Sequence, residues 1–353
     1  MHKFCVKGDD KANPYYSSSV IIRNLNEAAK RTGLYDKNGK TVVYSTIADS
    51  TGHNADLLVC VYETSLPFPV LQLANGRQLA GVSLHNLFFL NDSYPSSLCS
   101  FFRLGVDSDE FNPVKRIDDG IFRFLHFSES NARSGIEIVI AAFCEEFGGN
   151  EKVELYLKDR GATDIFKCFV LEKAKAFNAR IVHDTENTQS IQQVKDIYAK
   201  ADVQVNVSRS STFNLPTLEG MAMGLPLLGN LYSGMREFLA NEFNGFASDY
   251  RIESIEQKKL DYLESIGCRN HMFPLNSYPK QPYWASTYED DIQDKMSEFV
   301  HIPKEYLSKM SNNAIATAKQ FTWERSAIEL SYILDLIDKN KNCKELNSFN
   351  RYG

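Results

Sequence analysis

The chain has 353 residues, a length typical of two domains rather than one. Hydrophobic residues make up 43% of the sequence and aromatic residues 12%, which suits two packed cores and argues against a disordered chain. With 39 Lys and Arg residues against 45 Asp and Glu residues, the formal charge is −6. This acidic balance argues against a broad basic surface for nucleic acid, although it leaves room for a local basic cleft.

Cysteine usage and hydropathy narrow the class of protein further. The seven cysteines are scattered and include no C-x-x-C pair, which argues against a zinc site and against a disulfide framework. The first residues lack an apolar signal core, and no uninterrupted apolar run approaches the ~18 residues of a membrane helix. We therefore expect a cytoplasmic protein with no bound metal, no cofactor and no transmembrane segment.

Short strands and one helix are predicted in the first third of the chain. Four apolar runs have the β-branched and aromatic content of buried strands, at residues 3–8, 41–47, 56–63 and 79–85. A helix is predicted over residues 18–30, where apolar side chains recur on one face and serines suit the N-terminus.

A second series of strands and helices begins after residue 117. The predicted strands are 122–127, 152–157, 179–183, 203–207 and 226–229. The predicted helices are 135–147, 164–177, 190–201, 215–223, 235–240, 254–266 and 303–320. Alternation on this scale indicates parallel sheets with helices on both faces. The sequence therefore predicts an α/β protein of two Rossmann-like domains.

The boundary between the two series is predicted at residues 104–113, where Gly105, Pro113 and several acidic residues cluster. Ligands of open α/β sheets bind beyond the carboxyl ends of the strands, so a two-domain protein of this kind is expected to have its site in the cleft between the domains.

Residues 202–226 contain the most informative pattern. A strand ends at Val207, a polar loop follows, and Pro216 occupies a first-turn position that a helix tolerates. The backbone N–H groups that begin this helix suit a diphosphate or sugar hydroxyls. Glu219 lies about one turn further on, where a carboxylate can accept two hydrogen bonds from a vicinal diol such as a ribose. The alternative interpretation is a capped helix with one solvated glutamate. The backbone N–H groups expected to receive the diphosphate or the sugar belong to Thr212, Phe213, Asn214 and Leu215.

This segment resembles the donor-binding signature of GT-B glycosyltransferases, particularly family 4, whose pattern is roughly S-R-x-E-G-F-G-L-P-x-L-E-A-M-A-x-G-x-P. Five other blocks resemble family motifs in the expected order, and the match covers most of residues 104–335. They are residues 104–113 (the hinge), 124–143 (the first strand and helix of the second domain), 233–237, 244–246 and 321–325 (F-S-W-E-R in the family).

The resemblance implies a GT-B fold, with two Rossmann-like domains facing each other across a cleft. It implies a shortened acceptor-binding domain at 1–107, a hinge at 108–117 and a donor domain at 118–330. The remaining residues, 331–353, would form a C-terminal helix that packs back on the first domain, and a tail. The implied activity is a retaining, metal-independent hexosyl or pentosyl transfer from a UDP- or GDP-linked sugar to a glycan or another hydroxyl acceptor.

Two departures from the family pattern concern the donor site. Ser211 stands where the family has its first glutamate, which holds the transferred sugar, whereas Glu219 matches the second glutamate, which holds the ribose. Ser134 stands at the usual lysine position, with Arg133 beside it. Substitute cations for the leaving diphosphate are available in Arg133, Lys158, Arg160 and Arg209. Those expected to act are Arg209, Lys158 and Arg133, in that order, and the alternative for each is a solvated surface cation.

The first domain resembles the family less. His85 matches a cleft-facing histidine at a strand end, where it can hydrogen-bond the sugar or a phosphate, and the alternative is a structural histidine. Gly8 is what remains of a glycine-rich loop after the first strand. Three residues are candidates for contact with the acceptor, namely Tyr15, Tyr16 and Glu63.

Three alternatives stay open. Asp107-Ser108-Asp109 matches the D-x-D of metal-dependent GT-A enzymes, although acidic hinges produce this pattern readily. A shortened acceptor domain also suits modified DNA, as in some phage enzymes of the same fold, although the acidic charge argues against that acceptor. Loss of the first glutamate and the usual lysine also suits a non-catalytic nucleotide-sugar-binding protein, since a fold does not fix a function.

Overall fold

A computed structural model describes residues 1–7, 17–45, 56–60, 78–81, 98–113, 116, 119–188, 190–270, 275–277 and 281–339. The chain divides into two compact units. Unit 1 comprises Met1–Glu63, Pro67–Gly105 and Phe321–Gly353, and unit 2 comprises Thr64–Leu66 and Val106–Gln320. The break after Gly105 lies beside the predicted hinge. The second break, before Phe321, lies about ten residues earlier than the predicted start of the C-terminal segment.

Unit 1 contains a parallel sheet whose five described strands follow the order of the chain. They are β1 (Phe4–Lys7), β2 (Lys40–Ser45), β3 (Leu57–Cys60), β4 (Gln78–Gly81) and β5 (Leu98–Phe101). Helix α1 (Ser17–Arg31) follows β1 and ends with Lys30 and Arg31, whose charges suit the negative end of the helix dipole. Phe4, Val42 and Leu57 are completely buried and form part of the core of this unit.

The last described helix, α9 (Trp323–Lys339), belongs to unit 1 and packs against α1. Leu330 and Leu334 of α9 are buried, as are Leu25 and Ala28 of α1, so the two helices share an apolar seam. This helix begins at Trp323, inside the F-T-W-E-R block, and eight residues earlier than the predicted C-terminal segment.

Unit 2 contains a six-stranded parallel sheet in the order β11-β10-β9-β6-β7-β8. This is the Rossmann order, in which the chain starts in the middle of the sheet, builds one half and then returns to build the other. The strands are β6 (Phe122–Ser128), β7 (Val153–Asp159), β8 (Ile181–Asp184), β9 (Val203–Asn206), β10 (Leu227–Asn230) and β11 (Gly245–Ser248). The direction of winding reverses between β6 and β9, and the carboxyl ends of these two neighbours mark the switch point.

Helices cover the sheet of unit 2, and polar caps fix where several of them begin. Thr163 accepts a hydrogen bond from the N–H of Phe166, and Ser190 accepts one from the N–H of Gln193. The helices are α2 (Ile136–Phe147), α3 (Asp164–Phe177), α4 (Ile191–Ala199), α5 (Leu215–Ala222), α6 (Gln257–Ser265), α7 (Glu289–His301) and α8 (Lys304–Ala318). The antiparallel strands β12 (Tyr250–Ser254) and β13 (Tyr283–Thr287) form a separate pair.

Several elements of unit 2 differ from the prediction. Strands β11, β12 and β13 were not predicted. Residues 235–240 were expected to be a helix, but the structure has a short 3-10 turn at Ser233–Glu237. Helix α7 was not predicted, although Ile292, Met296 and Phe299 form a buried stripe along it. Its acidic first turn fits the positive end of the helix dipole.

Candidate functional site

The candidate site lies at the switch point of unit 2, where the loop after β6 meets the loop after β9. The backbone N–H of Arg209 donates to the carbonyl of Arg133 at 2.8 Å, and the hydroxyl of Ser208 donates to the same carbonyl at 3.2 Å. Gly135 has a φ of +71°, and a Cβ there would lie 2.6 Å from the carbonyl oxygen of Val207. Only glycine allows so close an approach, so the local sequence holds the two loops together.

The loop after β9, residues 207–214, carries an unusual concentration of buried polar groups. The carbonyl of Ser211 accepts hydrogen bonds from the hydroxyl of Ser233 and from the N–H of Gly234. The hydroxyls of Ser210 and Thr212 are buried and have no hydrogen-bond partner among the described residues. Unsatisfied buried groups are uncommon in folded proteins. These two hydroxyls are among the buried side-chain groups of the loop that no described residue satisfies.

Asn214 ends this loop and begins helix α5. Its φ of +66° is in the left-handed region, which asparagine tolerates better than most residues, and its side chain accepts hydrogen bonds from the hydroxyl and the N–H of Thr217. Leu215 and Phe213 are buried, and the Phe213 ring packs edge-on against Phe238 at 5.7 Å. The start of α5 is therefore fixed, because Asn214 accepts the N–H groups of Thr217 and Leu218, and Pro216 has no N–H to satisfy.

Glu219 lies within α5, where its half-buried carboxylate meets a buried tyrosine. The hydroxyl of Tyr198 lies 3.0 Å from Glu219 Oε2 and 2.8 Å from the carbonyl of Pro216. Burial raises the pKa of Glu219 to about 7, against the opposing effects of the Tyr198 hydrogen bond and the positive charge of Arg160. Near neutral pH the carboxylate is therefore only partly ionised, and hydrogen-bond donors from a ligand would stabilise its charged form.

Arg209 occupies a different environment from the one expected of a cation that meets a diphosphate. Its side chain is completely buried, and the guanidinium pairs with the Glu137 carboxylate, with Nη1 3.3 Å from Oε2. Nη1 also donates to the carbonyl of Ala132, and Cζ lies 5.0 Å from the ring centroid of Trp284. Arg209 thus ties the loop after β9 to the loop after β6, and its charge is already neutralised by Glu137.

Glu137 is the acidic partner in this arrangement and lies in the first turn of α2. Burial alone would raise the pKa of Glu137, but the charges of Arg209 and Lys259 outweigh it and lower that pKa. The pair therefore remains ionised.

Lys158 is also committed to a structural contact. Its side chain is 1% exposed, and Nζ lies 2.9 Å from Asp184 Oδ1 and 2.5 Å from the carbonyl of Glu186. The hydroxyl of Tyr156 donates to the other oxygen of Asp184 at 2.7 Å. A buried lysine held in this way fixes the ends of β7 and β8 and does not present its charge to a ligand, contrary to the expected role.

Ser134, at the position of the family's lysine, and its neighbour Arg133 differ in burial. Ser134 is buried, donates to the carbonyl of Asn131 at 2.8 Å and accepts from the N–H of Ile136, so it closes a turn before α2. Arg133 is half-buried.

Two further arginines lie beside the same loops. The guanidinium of Arg160 lies 5.5 Å from the ring centroid of Phe127 and acts electrostatically on Glu219. Arg269 is exposed, and its backbone pairs with residues 130–132. Arg133, Arg160 and Arg269 therefore keep access to solvent at this edge of the sheet, unlike Arg209 and Lys158.

The candidates of the first domain lie outside the described residues. They are Gly8, Tyr15, Tyr16, Glu63 and His85.

The acidic D-x-D pattern has a local structural explanation. Asp107 Oδ1 accepts hydrogen bonds from the N–H groups of Asp109 and Glu110, so it caps a turn. Within the described ranges, no group of three or more His, Cys, Asp or Glu residues is arranged to hold a metal ion. Among the helices described, none is long and apolar enough to cross a bilayer.

Three contributors to this site were missed in the sequence: Tyr198, Glu137 and Arg269. Tyr198 was assigned only to the predicted helix 190–201, and its partner Glu219 is 21 positions away. Glu137 lies 72 positions from Arg209. No short-range sequence pattern predicts such pairs, because they form only when the chain folds and the loops come together.

Comparison with known proteins finds one family model that covers the candidate site. Residues 131–264 match the family described as Glycosyl transferases group 1. A comparison with curated protein sequences finds no match.

Several solved structures are similar to the whole chain. A glycosyltransferase from Rickettsia africae is 15% identical, with 93% of this chain and 84% of that chain covered and a TM-score of 0.62. Anabaena Alr3699/HepE, solved with UDP and glucose, is 12% identical, with 96% and 100% covered and a TM-score of 0.62. The sucrose-phosphate synthase of Thermosynechococcus elongatus is 13% identical, with 95% and 74% covered and a TM-score of 0.58. These comparisons confirm the predicted GT-B fold and the predicted resemblance to GT-B glycosyltransferases.

Proposed function

Because the chain has the GT-B fold and its residues 131–264 match Glycosyl transferases group 1, we propose that it transfers a sugar from a nucleotide-sugar donor to an acceptor hydroxyl. The observation that carries this proposal is the position of Glu219. Its carboxylate lies on the helix that follows the switch-point loop, and switch points are where open α/β sheets bind their ligands.

The donor is proposed to bind through two groups of contacts. Glu219 accepts hydrogen bonds from the ribose hydroxyls, and the N–H groups of residues 212–215 receive the diphosphate. The Anabaena neighbour was solved with UDP and glucose, which supports a UDP-linked donor. A GDP-linked donor is the alternative, because both nucleotides share the ribose and the diphosphate that these contacts recognise.

The reaction breaks the bond between the anomeric carbon of the sugar and the diphosphate oxygen, and forms a bond from that carbon to the acceptor oxygen. The acceptor proton passes to the leaving phosphate, so no protein base is required. Negative charge grows on the diphosphate, and we assign its stabilisation to Arg133 and Arg160 together with the start of α5, rather than to a metal. Retention of the anomeric configuration follows the family resemblance. A glycan is the proposed acceptor.

A second candidate function is nucleotide-sugar binding without transfer. Ser211 stands in place of the family's first glutamate, and both Arg209 and Lys158 are buried in ion pairs. Each of these features removes a group that would act on the transferred sugar or on the leaving diphosphate.

One experiment separates the two functions. The protein is incubated with UDP- and GDP-linked sugars and an acceptor extract, and release of nucleoside diphosphate is measured alongside donor binding. Transfer predicts release that is lost in Glu219→Ala and retained in Glu145→Ala, an exposed glutamate of α2 that serves as the matched control. Donor binding without release from any donor would leave the binding protein as the function. A chain that neither binds nor turns over any donor contradicts both.

A further inference from the structure

Tyr198 is a buried tyrosine in the last turn of α4, and its hydroxyl reaches the candidate ribose-binding carboxylate. The side chain is 1% exposed. Its ring lies 5.6 Å from that of Phe127 and packs edge-on against that of Phe111 at 6.3 Å, as measured between centroids. Because aromatic neighbours flank the ring, the hydroxyl cannot swing away to find another partner. Its position is set by the core and not by Glu219.

The hydroxyl has one proton and two acceptors within reach. Glu219 Oε2 lies at 3.0 Å and the carbonyl of Pro216 at 2.8 Å. An ionised Glu219 offers the stronger acceptor, because hydrogen bonds to charged groups are stronger than neutral ones. A protonated Glu219 leaves the phenol proton to the Pro216 carbonyl. The Tyr198 hydroxyl therefore distinguishes the two protonation states of its neighbour.

We propose that Tyr198 is a positioning residue of the donor site, which holds Glu219 by Oε2 in its ionised form and leaves Oε1 for the ribose hydroxyls. This inference rests on the proposed function, in which Glu219 binds the ribose. Two other charged groups act on the same carboxylate, namely Arg160, which favours its ionisation, and Glu110, which opposes it. Tyr198 supplies a direct hydrogen bond to Glu219, at 3.0 Å from Oε2.

The test is the pH dependence of UDP-glucose binding in the wild type and in Tyr198→Phe, which removes only the hydroxyl. UDP-glucose is preferred to UDP because a free terminal phosphate titrates near pH ~6. In the wild type, affinity is expected to fall as the pH drops through about 7, where Glu219 takes up its proton. Loss of a hydrogen bond to the charged form should move this midpoint upward by about one pH unit. The affinity of the two proteins should converge well above the midpoint.

Two further variants make the outcome specific. Tyr156→Phe is the matched control, since it also removes a phenol–carboxylate hydrogen bond, to Asp184 at 2.7 Å, and the midpoint should stay where it is. Glu219→Gln should abolish the pH step. A uniform loss of affinity at every pH in Tyr198→Phe, with the midpoint unmoved, indicates a merely structural tyrosine and overturns the inference.

The same measurements distinguish a failure of the ribose role of Glu219 from a failure of the positioning role of Tyr198. A pH step that persists in Glu219→Gln contradicts the ribose role of Glu219 and hence the proposed function. A step that disappears in Glu219→Gln but keeps its midpoint in Tyr198→Phe contradicts only the role of Tyr198. If UDP-glucose and GDP-mannose both fail to bind, the proposed function fails, and infrared titration of the Glu219 carboxyl still tests Tyr198. An unchanged midpoint of that carboxyl band in Tyr198→Phe overturns the inference.

Discussion

The half-buried carboxylate of Glu219 is expected to lower the stability of the protein once it is ionised, and Glu219→Gln tests this expectation. Its pKa rises from 4.5 to about 7 because burial disfavours the charged form. A folded-state pKa above the unfolded value gives stability that is complete below pH 4.5 and is lost as the pH rises through about 7. The two pKa values differ by about 2.5, and each pKa unit is worth about 1.4 kcal/mol, so the loss is about 3 kcal/mol. This value is a ceiling, because the half-buried carboxylate keeps some contact with water.

Glu219→Gln removes the titration and keeps an oxygen that can accept from Tyr198. The free energy of unfolding is measured by urea titration of both proteins between about pH 4.5 and pH 8.5, the range in which the carboxyl group titrates. The chain has two tryptophans, so a Trp323→Phe background leaves the fluorescence of Trp284 as a reporter of unit 2. Other groups titrate equally in both proteins and cancel in the difference. The advantage of the Gln variant should grow with pH. A difference that stays constant over this range refutes the desolvation argument.

Three other substitutions test the loops of the site. Arg209→Ala should destabilise unit 2 by about 3 kcal/mol, since it removes the buried guanidinium that pairs with Glu137 and leaves the charge of Lys259, 3.7 Å away, to offset the loss in part. A variant with wild-type stability and slower transfer would restore the catalytic role expected of this arginine. Gly135→Ala should lower the free energy of unfolding by more than the ~1–3 kcal/mol of backbone strain alone, because the new Cβ meets a carbonyl oxygen. Gly149→Ala is the control, since Gly149 has a similar φ with open space around it. Equal melting temperatures for the two variants contradict the close approach at Gly135. Asn214→Gly keeps the left-handed conformation but loses the side-chain cap, so it should destabilise unit 2 by about 0.3 kcal/mol. A urea midpoint equal to or above that of the wild type argues against the cap.

Strands β6 to β10 and most helices of unit 2 could be predicted because their signals are local. Each of these strands is a short apolar run and the helices repeat apolar residues at helical spacing, so the pattern is complete within about fifteen residues. Strands β11 to β13 were missed because they are short and contain polar residues. Helix α7 was also missed. The stripe of Ile292, Met296 and Phe299 was present in the sequence, but the acidic residues around it hid the pattern.

The local structure of residues 202–226 was also predictable, because a strand, a polar loop and a proline near a helix start follow one another along the chain. The burial and pairing of the cations were not predictable. An arginine beside three serines has the same sequence appearance whether it faces solvent or lies buried, and the partner that buries Arg209 is 72 positions away. The same reason applies to Lys158, whose partner Asp184 is 26 positions away. Charge pairing across loops is a property of the folded chain and not of a motif.

The nucleotide site is tested most directly by a crystal structure of the protein with UDP, and with GDP in parallel. The predicted result is a nucleotide at the switch point of unit 2, with a ribose hydroxyl within hydrogen-bond distance of Glu219 Oε1 and Tyr198 still in contact with Oε2. The diphosphate should lie against the N–H groups of residues 212–215. A nucleotide bound elsewhere on the chain, or one whose ribose makes no contact with Glu219, would contradict the proposed donor site.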